Sequence, residues 1–115
     1  MLDMSQITTH ILDITEGRPA QGITIILYQG ANDEWAEVAR GITNADGRIA
    51  DLLRRDIPLQ VGIYKMRFET KDYFDRRQVP TFYPYVEIVF DITNQEHYHI
   101  PLLLSPFGYS TYRGS

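Results

Sequence analysis

Short apolar segments alternate with turn-forming residues along the chain, at intervals of roughly eight to twelve positions. This rhythm predicts an all-β protein of the two-sheet sandwich type. In the first segment, Ile7–Leu12, an extended backbone would direct His10 to the face opposite Ile11. Further strands are predicted over Gly22–Gln29, Trp35–Thr43, Tyr64–Phe68 and Val86–Phe90, with a final strand over His97–Leu104 and one more apolar segment at Ile49–Leu53.

Two breaks in this pattern carry structural information. Asp46-Gly47 is a strong turn signal, because glycine readily adopts a positive φ and aspartate bonds to its own backbone. Arg48 is therefore expected directly after a tight turn. Pro101 has no backbone N–H, which predicts that the last strand lies at a sheet edge or contains a bulge.

One segment departs from strand-like alternation. Over Thr70–Gln78 the spacing of Tyr73, Phe74 and Arg77 is helical, and Thr70 could act as the N-cap. The sequence therefore predicts one short helix here.

Composition narrows the class of protein. The 115 residues contain no cysteine and have a formal net charge of −4, so residues 1–115 are expected to form one domain held by its core, without disulfides or thiolate metal sites. The excess of acidic residues argues against nucleic-acid binding. No segment approaches the roughly 20 apolar residues of a membrane span, and no signal-peptide pattern is present. A cytoplasmic protein with no membrane association is expected.

The histidines are the first candidates for chemistry. His97 and His99 would share one face of an extended strand, and His10 is the third histidine. Three imidazoles could hold a metal ion, although Glu96 is the only adjacent carboxylate. They could equally be half-buried side chains bonded to the backbone, or acid–base groups with a pKa near neutrality. Spacing alone leaves all three readings open.

The remaining signals are weak individually. The chain has no Gly-x-Ser-x-Gly motif, no phosphate-binding glycine loop and no paired-carboxylate spacing. Arg48 alone would be an ordinary arginine after a turn, either solvated or paired with Asp46 or Asp51. The terminal segment Ser105–Ser115 retains three aromatic residues, so it is expected to be docked against another surface.

Five motifs together resemble one protein family. They are Thr9-His10-Ile11-Leu12-Asp13, Gly17-Arg18-Pro19-Ala20, Thr43-Asn44-Ala45-Asp46-Gly47-Arg48, His97-Tyr98-His99-Ile100-Pro101-Leu102-Leu103-Leu104-Ser105-Pro106 and Tyr112-Arg113-Gly114-Ser115. In order and spacing they resemble the 5-hydroxyisourate hydrolases of the transthyretin-related proteins, over essentially the whole chain. The terminal tetrapeptide is the most specific motif, because it distinguishes the hydrolases from the hormone carriers of the same fold. Ile100 stands where valine is common in the family, a conservative apolar exchange.

The resemblance implies a transthyretin-like sandwich of about eight strands with one short α-helix. It also implies a homotetramer, a dimer of dimers, with active sites where the dimers meet. The implied reaction belongs to urate degradation: hydrolysis of 5-hydroxyisourate to 2-oxo-4-hydroxy-4-carboxy-5-ureidoimidazoline, with neither a metal nor an organic cofactor.

The resemblance assigns roles to particular residues. The implied catalytic set is His10, Arg48 and His99, and the implied substrate-binding set is His10, Arg48, Tyr112, Arg113 and Ser115. Ring opening requires activation of water, stabilisation of an oxyanion and a proton for the leaving nitrogen. We assign His99 as the general base and His10 as its partner, although the sequence is equally compatible with the reverse; the role of His97 is less certain.

Two alternatives to an enzyme remain. A hormone-type binding protein of the same fold would use an apolar channel, whereas two histidines and an arginine favour a polar substrate. A sandwich used only for protein contacts would leave the terminal Tyr112-Arg113-Gly114-Ser115 motif unexplained.

Overall fold

The computed structural model describes residues 5–49, 51–53 and 58–115, which form eight strands and one helix. In chain order they are β1 (Ile7–Asp13), β2 (Arg18–Pro19), β3 (Thr24–Ala31), β4 (Glu34–Ile42), β5 (Gly62–Phe68), α1 (Thr70–Arg76), β6 (Val86–Ile92), β7 (Tyr98–Ser105) and β8 (Gly108–Thr111). No helix in this part of the chain is long and apolar enough to cross a membrane.

The strands form two four-stranded sheets. One has the order β2-β1-β7-β8 and the other β4-β3-β5-β6. All neighbours are antiparallel except β1 and β7, which run parallel. Apolar side chains of both sheets form one core, whose largest fully buried members include Tyr64, Phe68, Ile11, Leu27 and Leu102. The predicted two-sheet sandwich with a short helix is confirmed.

Alternation along β1 and β5 follows the sequence prediction. Ile7 and Ile11 are completely buried, while His10 between them is half-buried on the opposite face. In β5, Met66 is completely buried while its neighbour Lys65 is partly exposed. The period-2 pattern therefore identifies the core-facing side of these strands correctly.

The prediction for Pro101 is wrong. Strand β7 lies between β1 and β8, so it is not an edge strand, and its register with both neighbours is continuous. Paired β7–β8 residues begin at Leu102↔Thr111, directly after the proline. The same register resumes as an isolated bridge at His99↔Gly114. Pro101 thus occupies a gap in the ladder between β7 and β8, where its missing N–H is not needed. Strand β8 was not predicted from the sequence; it follows the strand that was expected to be the last.

The helix is shorter than predicted, and its expected cap is absent. It covers Thr70–Arg76, and Glu69 occupies the N-cap position without a side-chain hydrogen bond. The Thr70 hydroxyl is buried without a partner among the described residues, so the N-cap assignment is wrong. Tyr73 and Phe74 are buried as their spacing predicted. In the apolar segment 49–53, the described residues belong to no strand.

The helix is joined to β1 by a buried hydrogen bond. The Tyr73 hydroxyl donates to Oδ2 of Asp13 over 2.8 Å, and both residues are at most 2% exposed. The other carboxylate oxygen of Asp13 accepts from the backbone N–H groups of Thr15 and Glu16. Asp13 thereby fixes the end of β1, the turn that follows and the helix.

We expect Tyr73→Phe to lower the free energy of unfolding at neutral pH by about 1.5–3 kcal/mol, because a buried hydrogen bond to a charged group is lost while the ring remains. Denaturant titration measures this value. Tyr109→Phe provides a matched control, because Tyr109 is 41% exposed, and it should change stability by no more than about 0.5 kcal/mol.

Alkaline pH gives a second readout of the same bond. Burial and the bond to Asp13 raise the pKa of Tyr73 to about 12, whereas an unfolded tyrosine titrates near pH 10. The resulting stability is fully present below about pH 10 and is lost as the pH rises towards 12. The stability difference between wild type and Tyr73→Phe should therefore shrink over this range, and a constant difference would contradict the assignment.

Candidate active site

The parallel pairing of β1 and β7 collects polar side chains on the outer face of one sheet. Its register places Thr8 opposite His99 and His10 opposite Pro101. Successive residues of a strand alternate between faces, and the intervening Ile7, Thr9 and Ile11 are buried. Thr8, His10 and His99 therefore lie together on the face that points away from the core.

Thr8 contacts two histidines: His99, which lies in β7, and His97, which directly precedes that strand. Its Oγ1 lies 2.8 Å from Nδ1 of His99 and 2.8 Å from Nε2 of His97. The two imidazole rings are nearly parallel, with centroids 6.4 Å apart. One hydroxyl thus bonds both rings, and Nε2 of His99 is not used in these contacts.

Arg48 reaches this face from a turn that docks on β1 next to the short strand β2. The Asn44 side chain holds the turn by accepting from the backbone N–H groups of Asp46 and Arg48. The carbonyl of Gly47 accepts from the N–H of Ile11, and Arg48 forms an isolated bridge with His10. The predicted Asp-Gly turn is confirmed.

Gly47 is required at this docking point. Its φ is +73°, and a Cβ added there would lie 2.5 Å from the carbonyl oxygen of Ile11. Any other residue would combine an unfavourable backbone conformation with a clash against β1. The turn can therefore approach β1 closely enough to place Arg48 beside His10.

The contact between Arg48 and His10 defines a tautomer. Nη2 of Arg48 lies 3.4 Å from Nδ1 of His10, and a guanidinium can only donate hydrogen bonds. Nδ1 must therefore carry the lone pair, so the proton of neutral His10 is on Nε2.

Both site histidines favour the neutral form. Burial lowers the pKa of His99, and the charge of Arg48 and the neighbouring His97 and His10 act in the same direction. Burial and Arg48 also lower the pKa of His10, against a smaller raising effect of the Asp46 backbone and carboxylate. Neutral imidazoles at neutral pH can accept or donate a proton, as acid–base catalysis requires.

The C-terminal tail pairs with β7 at His99. The backbone N–H of Gly114 donates to the carbonyl of His99 over 2.8 Å. A Cβ at Gly114 would lie 2.6 Å from Cδ2 of the His99 ring, so any other residue here would displace the imidazole from its position. The expectation that this terminus is docked is confirmed for Gly114.

The other tail residues are placed differently. The Arg113 guanidinium stacks on the Tyr98 ring at 4.3 Å and pairs with Glu96 at 3.3 Å. Tyr112 is 59% exposed, and Ser115 is also exposed. The structure thus brings His10, Arg48 and His99 together, and it directs Arg113 towards Tyr98 and Glu96.

Two site residues were not predicted from the sequence. Thr8 shares the strand parity of His10, but its contact with His99 depends on a pairing between distant segments. Gly114 was quoted only as part of a motif, and the steric need for glycine follows from the position of the His99 ring. Within the described residues, no group of three or more histidine, aspartate and glutamate side chains has the arrangement of a metal site.

Comparisons with known proteins agree with this architecture. The model of the HIUase/Transthyretin family matches residues 7–114. The chain is 45% identical over 118 residues to 5-hydroxyisourate hydrolase of Mus musculus, covering 98% of each chain.

Two solved structures are similar throughout. Sea bream transthyretin in complex with thyroxine has a TM-score of 0.88 and 33% identity, covering 96% of this chain and 95% of the other. Klebsiella pneumoniae 5-hydroxyisourate hydrolase has a TM-score of 0.84 and 39% identity, covering 95% of this chain and 98% of the other. The fold, the matched residues and these relatives establish that the chain belongs to the HIUase/Transthyretin family.

Proposed function

We propose that this protein is a hydrolase that converts 5-hydroxyisourate to 2-oxo-4-hydroxy-4-carboxy-5-ureidoimidazoline in urate degradation. In this reaction an oxygen of water bonds to a ring carbonyl carbon and the adjacent ring C–N bond breaks. One proton of the water reaches the leaving nitrogen, so the six-membered ring opens without oxidation or reduction. No cofactor is needed in the proposed reaction.

One observation carries the proposal: His10, Arg48 and His99 converge on one exposed face in a chain that is 45% identical to a named 5-hydroxyisourate hydrolase over nearly its full length. A guanidinium 3.4 Å from one of two imidazoles of lowered pKa suits a polar, electron-rich substrate that must exchange protons. It does not suit an apolar aromatic ligand, which requires mainly apolar contacts.

We propose His99 as the general base, and the hydrogen bonds of the two histidines support this assignment. His10 accepts from Arg48 at Nδ1 and carries its proton on Nε2, so it has no unoccupied lone pair. Nε2 of His99 is not used by Thr8, which bonds at Nδ1. His99 can therefore take a proton from the attacking water and return it to the leaving nitrogen.

Arg48 stabilises the negative charge that develops during the reaction. Its planar guanidinium remains charged and offers several donors, so it can orient the substrate and stabilise the oxyanion that forms on the attacked carbonyl. We also assign Tyr112, Arg113 and Ser115 to substrate binding. They would take this role in the assembled protein, where a neighbouring chain completes the site.

We further propose that residues 1–115 are one domain and that four copies assemble in the cytoplasm as a dimer of dimers, with the sites where dimers meet. The strongly exposed Phe107 and Tyr112, at 68% and 59%, support burial of this end by another copy. The lack of cysteine makes the fold independent of an oxidising compartment. Light scattering should give a mass four times that of one chain.

The test of the proposed activity is the ultraviolet decay of freshly generated 5-hydroxyisourate, with and without the purified protein and in the presence of a strong chelator. We expect faster decay that the chelator does not reduce. Decay at the buffer rate, by a protein that is folded and tetrameric, would overturn the hydrolase proposal. Ligand binding without catalysis, as in a hormone-carrying relative, would then be the leading alternative.

His99→Ala should lower kcat by about 10²–10⁴-fold, because it removes the group that transfers the proton. Stopped-flow measurement of the same decay gives kcat, and thermal unfolding and light scattering verify the fold and assembly of the variant. Added imidazole should restore part of the rate. Near-normal turnover in a correctly assembled variant would move the base to another residue.

The pH dependence of kcat/KM should reflect the lowered pKa of His99. Because the base must be neutral, the midpoint of the acidic limb should lie below pH 6.5, the ordinary histidine pKa. Arg48→Gln removes one cause of the lowering and should move this acidic limb to higher pH. Arg48→Lys is the matched control: it keeps the charge and the position of the limb, but it lowers kcat/KM because the planar donors are lost. Identical limbs in both variants would contradict this role of the charge.

A further inference from the structure

Thr8 lies between two imidazoles, and its single hydroxyl proton makes their hydrogen-bonding states interdependent. Oγ1 is 2.8 Å from both Nδ1 of His99 and Nε2 of His97. A threonine hydroxyl donates one hydrogen bond and can accept others. When it donates to one ring, the other ring must donate to it.

The two arrangements have opposite chemical consequences. If Thr8 donates to His99 Nδ1, the proton of neutral His99 is on Nε2, and the ring cannot act as a base there. If Thr8 donates to His97 Nε2, then Nδ1–H of His99 donates to Thr8 and the lone pair of His99 is on Nε2. The remaining arrangement, with both rings donating, leaves the hydroxyl proton without an acceptor in this group.

The contact between Arg48 and His10 indicates which of these arrangements allows catalysis. Arg48 fixes the lone pair of His10 at Nδ1, where the guanidinium itself occupies it. His10 therefore cannot supply the base. Of the two site histidines His10 and His99, His99 is then the one whose lone pair can accept a proton from water, at Nε2, and this requires a proton on Nδ1.

We propose that Thr8 is a positioning residue that fixes the reactive tautomer of His99. Its hydroxyl accepts from His99 Nδ1–H and donates to His97 Nε2, which holds the lone pair of His99 on Nε2. This inference rests on the proposed hydrolase function. It makes Nε2 of His97 the final acceptor in the series of hydrogen bonds from His99 through Thr8.

The proton balance of the step is simple. Nε2 of His99 takes a proton from the attacking water as the new C–O bond forms, and the resulting imidazolium still donates Nδ1–H to Thr8. Nε2–H then protonates the ring nitrogen as its bond to the attacked carbon breaks. His99 returns to its starting tautomer, and Thr8 and His97 keep their own protons throughout.

Three variants separate positioning from structure. Thr8→Val removes the hydroxyl at nearly constant volume, Thr8→Ser restores it, and Thr9→Val removes a hydroxyl of the same strand that bonds the Ile100 carbonyl on the inner face. We expect Thr8→Val to lower kcat by about 10–100-fold with a much smaller change in KM. Thr8→Ser should recover most of this loss, and Thr9→Val should retain kcat.

The tautomer itself is measured by ¹H–¹⁵N correlation spectra of the histidine rings in the tetramer without substrate. We expect His99 of the wild type to be protonated at Nδ1 and unprotonated at Nε2, and Thr8→Val to shift this ring towards the other tautomer. A wild-type His99 protonated at Nε2, or a Thr8→Val variant with full kcat, would overturn the inference. Because the spectra need no turnover, an inactive wild type would overturn the hydrolase proposal alone and leave the tautomer measurable.

Discussion

The parallel pairing of β1 with β7 is the constraint on which the candidate site depends. On its inner face, Ile7, Ile11 and Leu102 are completely buried. A slip of one residue would turn such side chains to solvent, at a cost of about 1.5–3 kcal/mol for each. The apolar core therefore fixes the register, and the register places Thr8 beside His99 on the outer face. Packing on one side of the sheet determines polar geometry on the other.

Two glycines allow the turn that carries Arg48 and the C-terminal tail to approach the paired strands β1 and β7. Gly47 lets the turn approach the backbone of β1, which delivers Arg48 to His10. Gly114 lets the tail pair with the backbone of His99 while the imidazole keeps its position. A Cβ at Gly47 would clash with the backbone of β1, and a Cβ at Gly114 would displace the His99 ring, so the chemistry of the site depends on close backbone approach as well as on its polar side chains.

The sequence predicts what depends on neighbouring residues and misses what depends on distant ones. The orientation of His10 and the tight turn before Arg48 follow from local alternation and turn chemistry, and both are confirmed. The contact of Thr8 with His97 joins residues 89 positions apart, which no local pattern contains. The prediction for Pro101 was wrong because the general rule about edges could not anticipate a gap in the ladder with β8. Fold class was thus more predictable than the hydrogen bonds that set the tautomers.

We propose that the substrate reacts on the face shared by β1 and β7. The most direct test is a crystal structure of the assembled protein with urate, the precursor that oxidation converts to 5-hydroxyisourate. We expect the bound ring to lie within hydrogen-bonding distance of Nε2 of His99 and of the Arg48 guanidinium. Urate bound elsewhere, for example against Arg113 and Tyr98 with the His99 ring untouched, would contradict it.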